Sequence, residues 1–453
     1  MKIVIVGDGK VGRALAEQLS YEDHDVVVID QRAKVVDESV NSLDVMGITG
    51  NGANYEVQKE AGVDKADLLI AATSSDEINI LCCLVAKKLG AKKTIARVRN
   101  PEYSQQLSIM RDELGLSLAI NPELAAANEI SRILRFPSAI KVDTFSRGRT
   151  ELVELKIDSD SRLAGIALYE LERKHQIKIL VCAVERGENV YIPSGDFILR
   201  AGDRIYITGD PVSVSLFVKT FGMVKEKVKS VMVIGGGKIA YYLAKMLEGT
   251  GVKVKIIEKD SDRCIELSGA LRNALIINGD GTDQEILSEE GIEETDAVVA
   301  LTGIDEENIL IAMYANTKKV SKVIAKVNRR SFASMLGSVG IESVISPKDI
   351  TVNYILRFVR AMQNSMGSNV TTLHRIVDDK AEALEFSVGK NSGCAGKKLR
   401  DLKLKPNLLI ACIIHGNKLI IPRGDDVINE GDNVVVVTTN RFLRDLDDIL
   451  QED

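Results

Sequence analysis

Short apolar runs alternate with longer segments in which apolar residues recur every three or four positions. KIVIV at the start, DVVVID from Asp25, DVMGIT from Asp44, ADLLIAAT from Ala66 and KTIARV from Lys93 read as strands. VGRALAEQL and EINILCCLVAKKLG between them read as helices. The strands are apolar throughout rather than alternating, which is the pattern of a parallel sheet covered on both faces. The fold class expected is α/β, a doubly wound, Rossmann-like domain.

The pattern then repeats. GDGKVG at Gly7–Gly12 returns as GGGKIA at Gly235–Ala240, and Gly7 to Asp30 spans the same interval as Gly235 to Glu258. The stretch from Thr49 to Ile80 aligns with Asn278 to Ile309, and IARVRNPEY from Ile95 with IAKVNRRSF from Ile324. One residue of difference in register separates two blocks of about 100 residues, so one fold is used twice. Pro122 and Pro347 each open an amphipathic helix, where the missing N–H costs nothing. The apolar faces of these helices, Ile130, Ile133 and Leu134 and then Ile355, Leu356 and Val359, are suited to packing internally or against another subunit.

Short strands and turns follow each helix. Pro193, Gly195, Asp196, Gly202 and Asp203 match Pro422, Gly424, Asp425, Gly431 and Asp432, so a small α+β domain is duplicated as well. The order expected is a large domain over 1–122, a linker helix over 123–140 and a small domain over 141–224. A second large domain over 228–347, a linker helix over 348–368 and a small domain over 369–453 complete it, the halves joining near FGMVKEKVKS.

At 453 residues, 45 % hydrophobic and 27 % charged, the chain has a globular composition. Its apolar runs reach seven residues at Leu408–Ile414, against the roughly 20 a membrane-spanning helix needs. The first strand begins at once, leaving no room for a signal peptide, so a cytoplasmic location is expected. A net charge of −6 with interspersed signs argues against nucleic acid as a partner. The six cysteines show no metal or disulfide spacing and read as reduced core thiols.

In the glycine motif the first glycine permits the turn, the second admits a pyrophosphate and the third brings helix against strand. Gly7, Gly9 and Gly12 meet all three needs, with Asp8, Lys10 and Val11 between them. Gly235 and Gly237 meet two, Ala240 takes the third place, and Gly236, Lys238 and Ile239 fill the gaps. The difference between Asp8 and Gly236 points to unequal affinities. Asp30 and Glu258 end the second strands, where a carboxylate accepts from an adenosine ribose and repels a 2′-phosphate; Arg32 and Lys259 nearby keep phosphate in play. Gly50, Asn51, Gly279 and Asp280 follow the third strands, and Thr73, Ser74 and Thr302 follow the fourth, all at the carboxyl ends where open sheets bind ligands. Arg97 and Lys326 close the fifth strands, as phosphate contacts or as surface cations. Asp76 and Asp305 read as helix caps, with ligand or cation contact as the other reading.

A catalytic group is missing from this set. The histidines, His24, His175, His374 and His415, have no repeated partner and read as structural, and no GxSxG, HExxH or phosphate-loop motif occurs. No catalytic and no metal site is expected.

The glycine motif, the ribose acid, G[ND]G[AT] after the third strand, the threonine with a D-E pair and an asparagine after the fourth, the AR or AK of the fifth and the β-rich companion together resemble the regulator of K⁺ conductance family. The resemblance covers essentially the whole chain and is specific in combination. It implies a regulatory subunit that binds NAD(H), or ATP and ADP in some members, and gates a separate integral membrane Trk-type potassium transporter. It implies self-association as well, since eight such domains in a ring would make this two-copy chain a homotetramer peripheral to the membrane. It places nucleotide contacts at Gly7 through Gly12, Asp30, Asn51, Thr73 and Arg97, and at Gly235 through Ala240, Glu258, Asp280, Thr302 and Lys326. An NAD-dependent oxidoreductase and a nucleotide sensor for a soluble partner are the alternatives.

Overall fold

Continuous apolar strands buried on both faces can only pair side by side beneath helices, and the computed structural model of the chain shows that arrangement twice. It describes all residues except 104, 105, 107–112, 146–149, 176, 224–226, 330, 331, 333–335, 338, 365–369, 378, 379, 417, 441, 442, 444, 452 and 453. The expected boundaries at 224 and at 368 and 369 therefore lie outside the described residues, as do the side chains of His175 and His374. By its contacts the chain divides into two units, Met1–Ile130 with Ser230–Leu356, and Ser131–Lys229 with Arg357–Asp453. Each unit thus gathers the like parts of both repeats.

In the first unit, β1 (Lys2–Val6), β2 (Asp25–Asp30), β3 (Met46–Thr49), β4 (Leu68–Ala71), β5 (Lys93–Arg97) and β6 (Leu118–Ile120) form a parallel sheet in the order β3-β2-β1-β4-β5-β6. The strand order reverses between β1 and β4, and the crevice above that point is where such sheets take ligands. The crossovers carry α1 (Lys10–Tyr21), α2 (Ala33–Ser42), α3 (Tyr55–Glu60) and α4 (Asp76–Leu89), and α5 (Pro122–Arg135) follows β6. Ile3, Ile5, Val28, Ile29, Leu68, Leu69 and Ile95 are fully buried or nearly so, because helices cover both faces.

The second unit holds the small domains. β7 (Lys141–Phe145), β8 (Thr150–Lys156), β9 (Ile179–Arg186), β10 (Asn189–Tyr191) and β11 (Arg204–Gly209) form an antiparallel sheet in the order β10-β9-β11-β8-β7, with α6 (Leu168–His175) and α7 (Pro211–Thr220).

In the second repeat the large domain returns to the first unit as β12 (Ser230–Ile234), β13 (Lys253–Glu258), β14 (Ala274–Asn278), β15 (Ala297–Ala300), β16 (Lys322–Lys326) and β17 (Ser343–Ile345), in the order β14-β13-β12-β15-β16-β17. Its helices are α8 (Lys238–Leu247), α9 (Ser261–Ala270), α10 (Gln284–Glu289), α11 (Asp305–Thr317) and α12 (Pro347–Asn364). The second small domain repeats the sheet of the first as β18 (Val370–Ile376), β19 (Ala381–Ser387), β20 (Leu408–His415), β21 (Lys418–Ile420) and β22 (Asn433–Thr438), ordered β18-β19-β22-β20-β21. Both small sheets contribute to one core, in which Phe145, Cys182 and Tyr206 pack with Ala383, Cys412 and Val435.

The apolar faces of the linker helices are buried within the chain itself, Ile130, Leu356 and Val359 completely. All six cysteines are buried free thiols. Among the described residues, no helix is long and apolar enough to cross a membrane.

Candidate functional site

The site begins at the turn between β1 and α1. Gly7 has φ +95° and sits so close to β4 that a Cβ would lie 2.9 Å from the Thr73 nitrogen; Gly235 repeats this at φ +98° against Leu301 and Thr302. The helix that follows starts at Lys10 with Gly9 as its N-cap and no side chain on its free N–H groups, and α8 starts in the same way behind Gly237. By contrast α3, α4, α9 and α10 are capped by Asn54, Ser75, Asp260 and Asp283. An uncapped helix start leaves backbone donors for an anion, and the space above Gly9 and Gly237 is open.

The two cradles differ where the sequence differs. A Cβ on Gly12 would collide with the carbonyl oxygen of Gly7. Ala240 carries that methyl and is fully buried, so the second repeat cannot hold helix and turn at the same distance. Asp8 is 2 % exposed, and its carboxylate accepts from the hydroxyl of Ser39 at 2.6 Å. In the second repeat Gly236 and Leu267 stand at these places, and a Cβ on Gly236 would meet the Leu267 side chain at 2.6 Å. A polar pair has been exchanged for a glycine and leucine pair of similar bulk. Burial raises the Asp8 carboxyl above the ordinary aspartate range, against the Ser39 hydrogen bond and the charge of Arg13.

Both acids at the ends of the second strands are held by backbone. Asp30 accepts from the N–H of Asp8 at 2.8 Å and of Arg32 at 3.0 Å, and Glu258 from the N–H of Gly236 at 2.6 Å and of Asp260 at 2.9 Å. Arg32 also forks onto the Asp30 carboxylate at 3.0 and 3.2 Å. Burial pushes the Asp30 carboxyl up, but the Arg32 and Asp8 hydrogen bonds outweigh it and leave it below the ordinary range. After the third strands, the side chains of Asn51 and Asp280 fold back on the N–H groups of Ala53 and Thr282.

Asp76 and Asp305 do not cap their helices. Ser75 caps α4 and α11 has no side-chain cap, while both aspartates are buried and bind the backbone beyond the fifth strands. Asp76 accepts from the N–H of Arg99 at 2.8 Å and Asn100 at 2.7 Å; Asp305 accepts from Asn328 at 3.0 Å and Arg329 at 3.1 Å. The first-turn acid was legible, but its target lies 23 residues away and left no local signal. Asn79, fully buried, joins the fourth and fifth strand ends. Its Oδ1 accepts from Thr73 N–H at 2.8 Å, and its Nδ2 donates to the carbonyls of Thr73 and Arg97 at 3.2 and 2.9 Å. Asn308 does the same for Thr302 and Lys326.

These elements enclose a cavity of about 600 Å³, within the range of small-molecule sites. Gly7, Gly9, Lys10, Val11, Asp30, Gly50, Asn51, Thr73, Ser74 and Arg97, all assigned by sequence to the first site, line it. Its far side is supplied by the second repeat, through Ile239, Lys326, Asn328, Pro347 and Lys348. Two residues assigned by sequence to the second site, Ile239 and Lys326, therefore face the first. Asp8 and Gly12 lie behind its wall. Gly235, Gly236, Gly237, Lys238, Ala240, Glu258, Gly279, Asp280 and Thr302, assigned by sequence to a second site, do not line this cavity.

Arg97 and Lys326 are not plain surface cations. Burial lowers the Arg97 pKa, with Arg99 adding to it and Glu123 and Asp76 opposing it. Burial likewise lowers that of Lys326, against Asp305 and Glu123. Glu123, also in the lining, is raised by burial against the pull of Arg97, and its buried Oε2 has no hydrogen-bond partner. The buried Nε of Arg97 has none either. Glu123 and Lys348, each following the proline that opens a linker helix, were missed by sequence reasoning because one is acidic and the other basic. The residues present fit a dinucleotide: an uncapped helix start and buried cations for the pyrophosphate, a carboxylate for the ribose, and a buried acceptor for a donor on the ligand.

Residues 3–122 and 231–347 match the TrkA-N domain family, and residues 152–222 and 383–451 the TrkA-C domain family. The chain is similar to the Trk system potassium uptake protein TrkA homolog 1 of Methanosarcina mazei, 39 % identical over 447 residues that cover 96 % of this chain and 97 % of the relative. It is also similar to the Trk system potassium uptake protein TrkA of Haemophilus influenzae, 31 % identical with 97 % and 96 % covered. In fold it is similar to the GsuK channel bound to NAD, at a TM-score of 0.64 and 18 % identity, covering 96 % of this chain and 76 % of that one. Full-length likeness to these relatives and two matched pairs of domains show that the chain belongs to the TrkA family of Trk system potassium uptake proteins.

Proposed function

We propose that the chain is a nucleotide-sensing regulatory subunit that binds NAD(H) in the cavity of the first repeat and gates a Trk-type potassium transporter of the membrane. The observation that carries this is the two-sided cavity: one repeat supplies the pyrophosphate cradle and ribose acid, and the other supplies Lys326 and Lys348. A ligand spanning the two has different affinity for arrangements in which the repeats are close and apart, which is the condition for shifting a population between them. The naming of the relatives as uptake-system proteins supports a regulatory rather than a catalytic role.

Asp30 and Glu258 favour an unphosphorylated ribose and so NAD(H) over its 2′-phosphate. The surplus of cations in the lining suits ADP or ATP as well, and the third phosphate of ATP would lie toward Lys326 and Lys348. Four chains, each with two repeats, would form the ring through which the arrangement is passed to the transporter. Potassium flux through a reconstituted Trk-type transporter with this chain, measured with and without saturating NADH, tests the proposal. A change in flux with NADH is expected; equal flux in both conditions would overturn it.

A further inference from the structure

One helix meets both nucleotide crevices. The start of α8 forms the second cradle, behind Gly237, while Ile239 in its first turn lines the cavity of the first repeat. One turn along, Tyr242 is 8 % exposed and its hydroxyl crosses to the first repeat. It accepts from the side-chain amide of Asn121 at 2.8 Å and donates to the carbonyl of Arg99 at 3.3 Å. Asn121 in turn accepts from the N–H of Leu124 at 2.9 Å, closing the first turn of α5. Arg99 lines the first cavity, and its side chain donates to the carbonyl of Ser74.

Tyr242 has no equivalent in the first repeat. The place of Tyr242 in the first repeat is held by Ala14, which has no polar group to send back. We infer that Tyr242 couples the two crevices: an anion docking on the start of α8 alters the affinity of the first cavity through the Tyr242, Asn121 and Arg99 contact. This rests on the nucleotide reading proposed above for the first cavity, and extends it to the second crevice, where the uncapped start of α8 behind Gly237 and the carboxylate of Glu258 repeat the same arrangement. A hydroxyl held between a donor and an acceptor resists displacement of α8, because moving it breaks its bonds to the Asn121 amide and the Arg99 carbonyl, two groups that otherwise meet at 3.5 Å. Coupling of this kind is a free energy shared by two sites and is therefore reciprocal.

The full-length chain is titrated with NADH by calorimetry as wild type and as Tyr242→Phe, each also carrying Gly9→Val or Gly237→Val. Both glycines have extended backbones and open space at Cβ, so valine fills the cradle without straining the fold. In the wild type the two-site constant is expected to differ at least about fivefold from the product of the two single-site constants. In Tyr242→Phe that factor falls to within about twofold of one. A factor that survives the substitution, or one of unity in the wild type, overturns the inference. Should NADH bind neither crevice, the reading of the ligand fails, and the link is then read with no nucleotide present. Hydrogen exchange at the Leu124 amide is expected to rise about tenfold in Tyr242→Phe, and unchanged exchange there overturns the link.

Discussion

Replacing Asn79 with alanine removes a side chain that joins the ends of β4 and β5 beneath the first cavity. Its amide group is fully buried and serves the N–H and carbonyl of Thr73 and the carbonyl of Arg97, at 2.8, 3.2 and 2.9 Å, besides the Thr73 hydroxyl at 2.7 Å. Each buried backbone group left without a partner costs about 1–3 kcal/mol. Thr73 and Arg97 both border the cavity, so water can reach part of what is exposed. A loss of about 3 kcal/mol follows, or roughly a hundredfold in the local opening equilibrium. A chain of this size need not unfold in one step, so the assay is native-state hydrogen exchange resolved to single strands. Exchange should rise about a hundredfold at β4 and β5 in Asn79→Ala and stay unchanged at β15 and β16, with Asn308→Ala giving the converse. NADH affinity should fall as well, since Thr73 and Arg97 lose their anchor. A rise of less than about threefold at β5, or an equal rise in both sheets, would refute this role for the amide.

Three further outcomes follow from the site. Asp8→Asn should stabilise the chain at neutral pH, because burial disfavours the aspartate charge and raises its folded pKa; the folded state then holds the proton longer than the unfolded one, wild-type stability falls as pH rises above the ordinary aspartate range, and the advantage of the variant in denaturant midpoint should vanish at about pH 4 and below. NADPH should bind the first cavity at least about tenfold more weakly than NADH, since its 2′-phosphate meets Asp30 and must draw Arg32 from a two-pronged ion pair; equal affinities in a fluorescence titration would contradict this. The thiols of Cys82, Cys394 and Cys412, pushed up to about 12 by burial, should resist a disulfide reagent at pH 8 in the folded chain and react once it is unfolded; fast labelling of the native protein would count against their burial.

The duplicated α/β sheets were legible because continuous apolar strands and glycine turns are local signals. The order β3-β2-β1-β4-β5-β6 follows from them once crossovers are right-handed. The glycine turns and the acids that end β2 and β13 were legible for the same reason. What the pattern could not show was anything that depends on one repeat meeting the other. Lys326 reads as the mate of Arg97 in its own repeat, yet both line one cavity. Glu123 and Lys348 carry opposite charges at like places and so look unrelated. Asp76 looked like a cap because it opens a helix, whereas its partners, the N–H groups of Arg99 and Asn100, become neighbours only through the sheet. The exchange of Asp8 and Ser39 for Gly236 and Leu267 is visible in sequence only after the fold has shown that the two positions touch.

The two-sided cavity makes the most direct demand on experiment. With the second cradle closed by Gly237→Val, NADH is titrated into chains with and without Lys326→Ala. The side chain that is lost belongs to the repeat that holds neither the Gly9 cradle nor Asp30. Removing a charged partner of a phosphate costs about 1.5–3 kcal/mol, so Kd is expected to rise by roughly 10- to 150-fold. An unchanged Kd would contradict it, by showing that the second repeat takes no part in the first site.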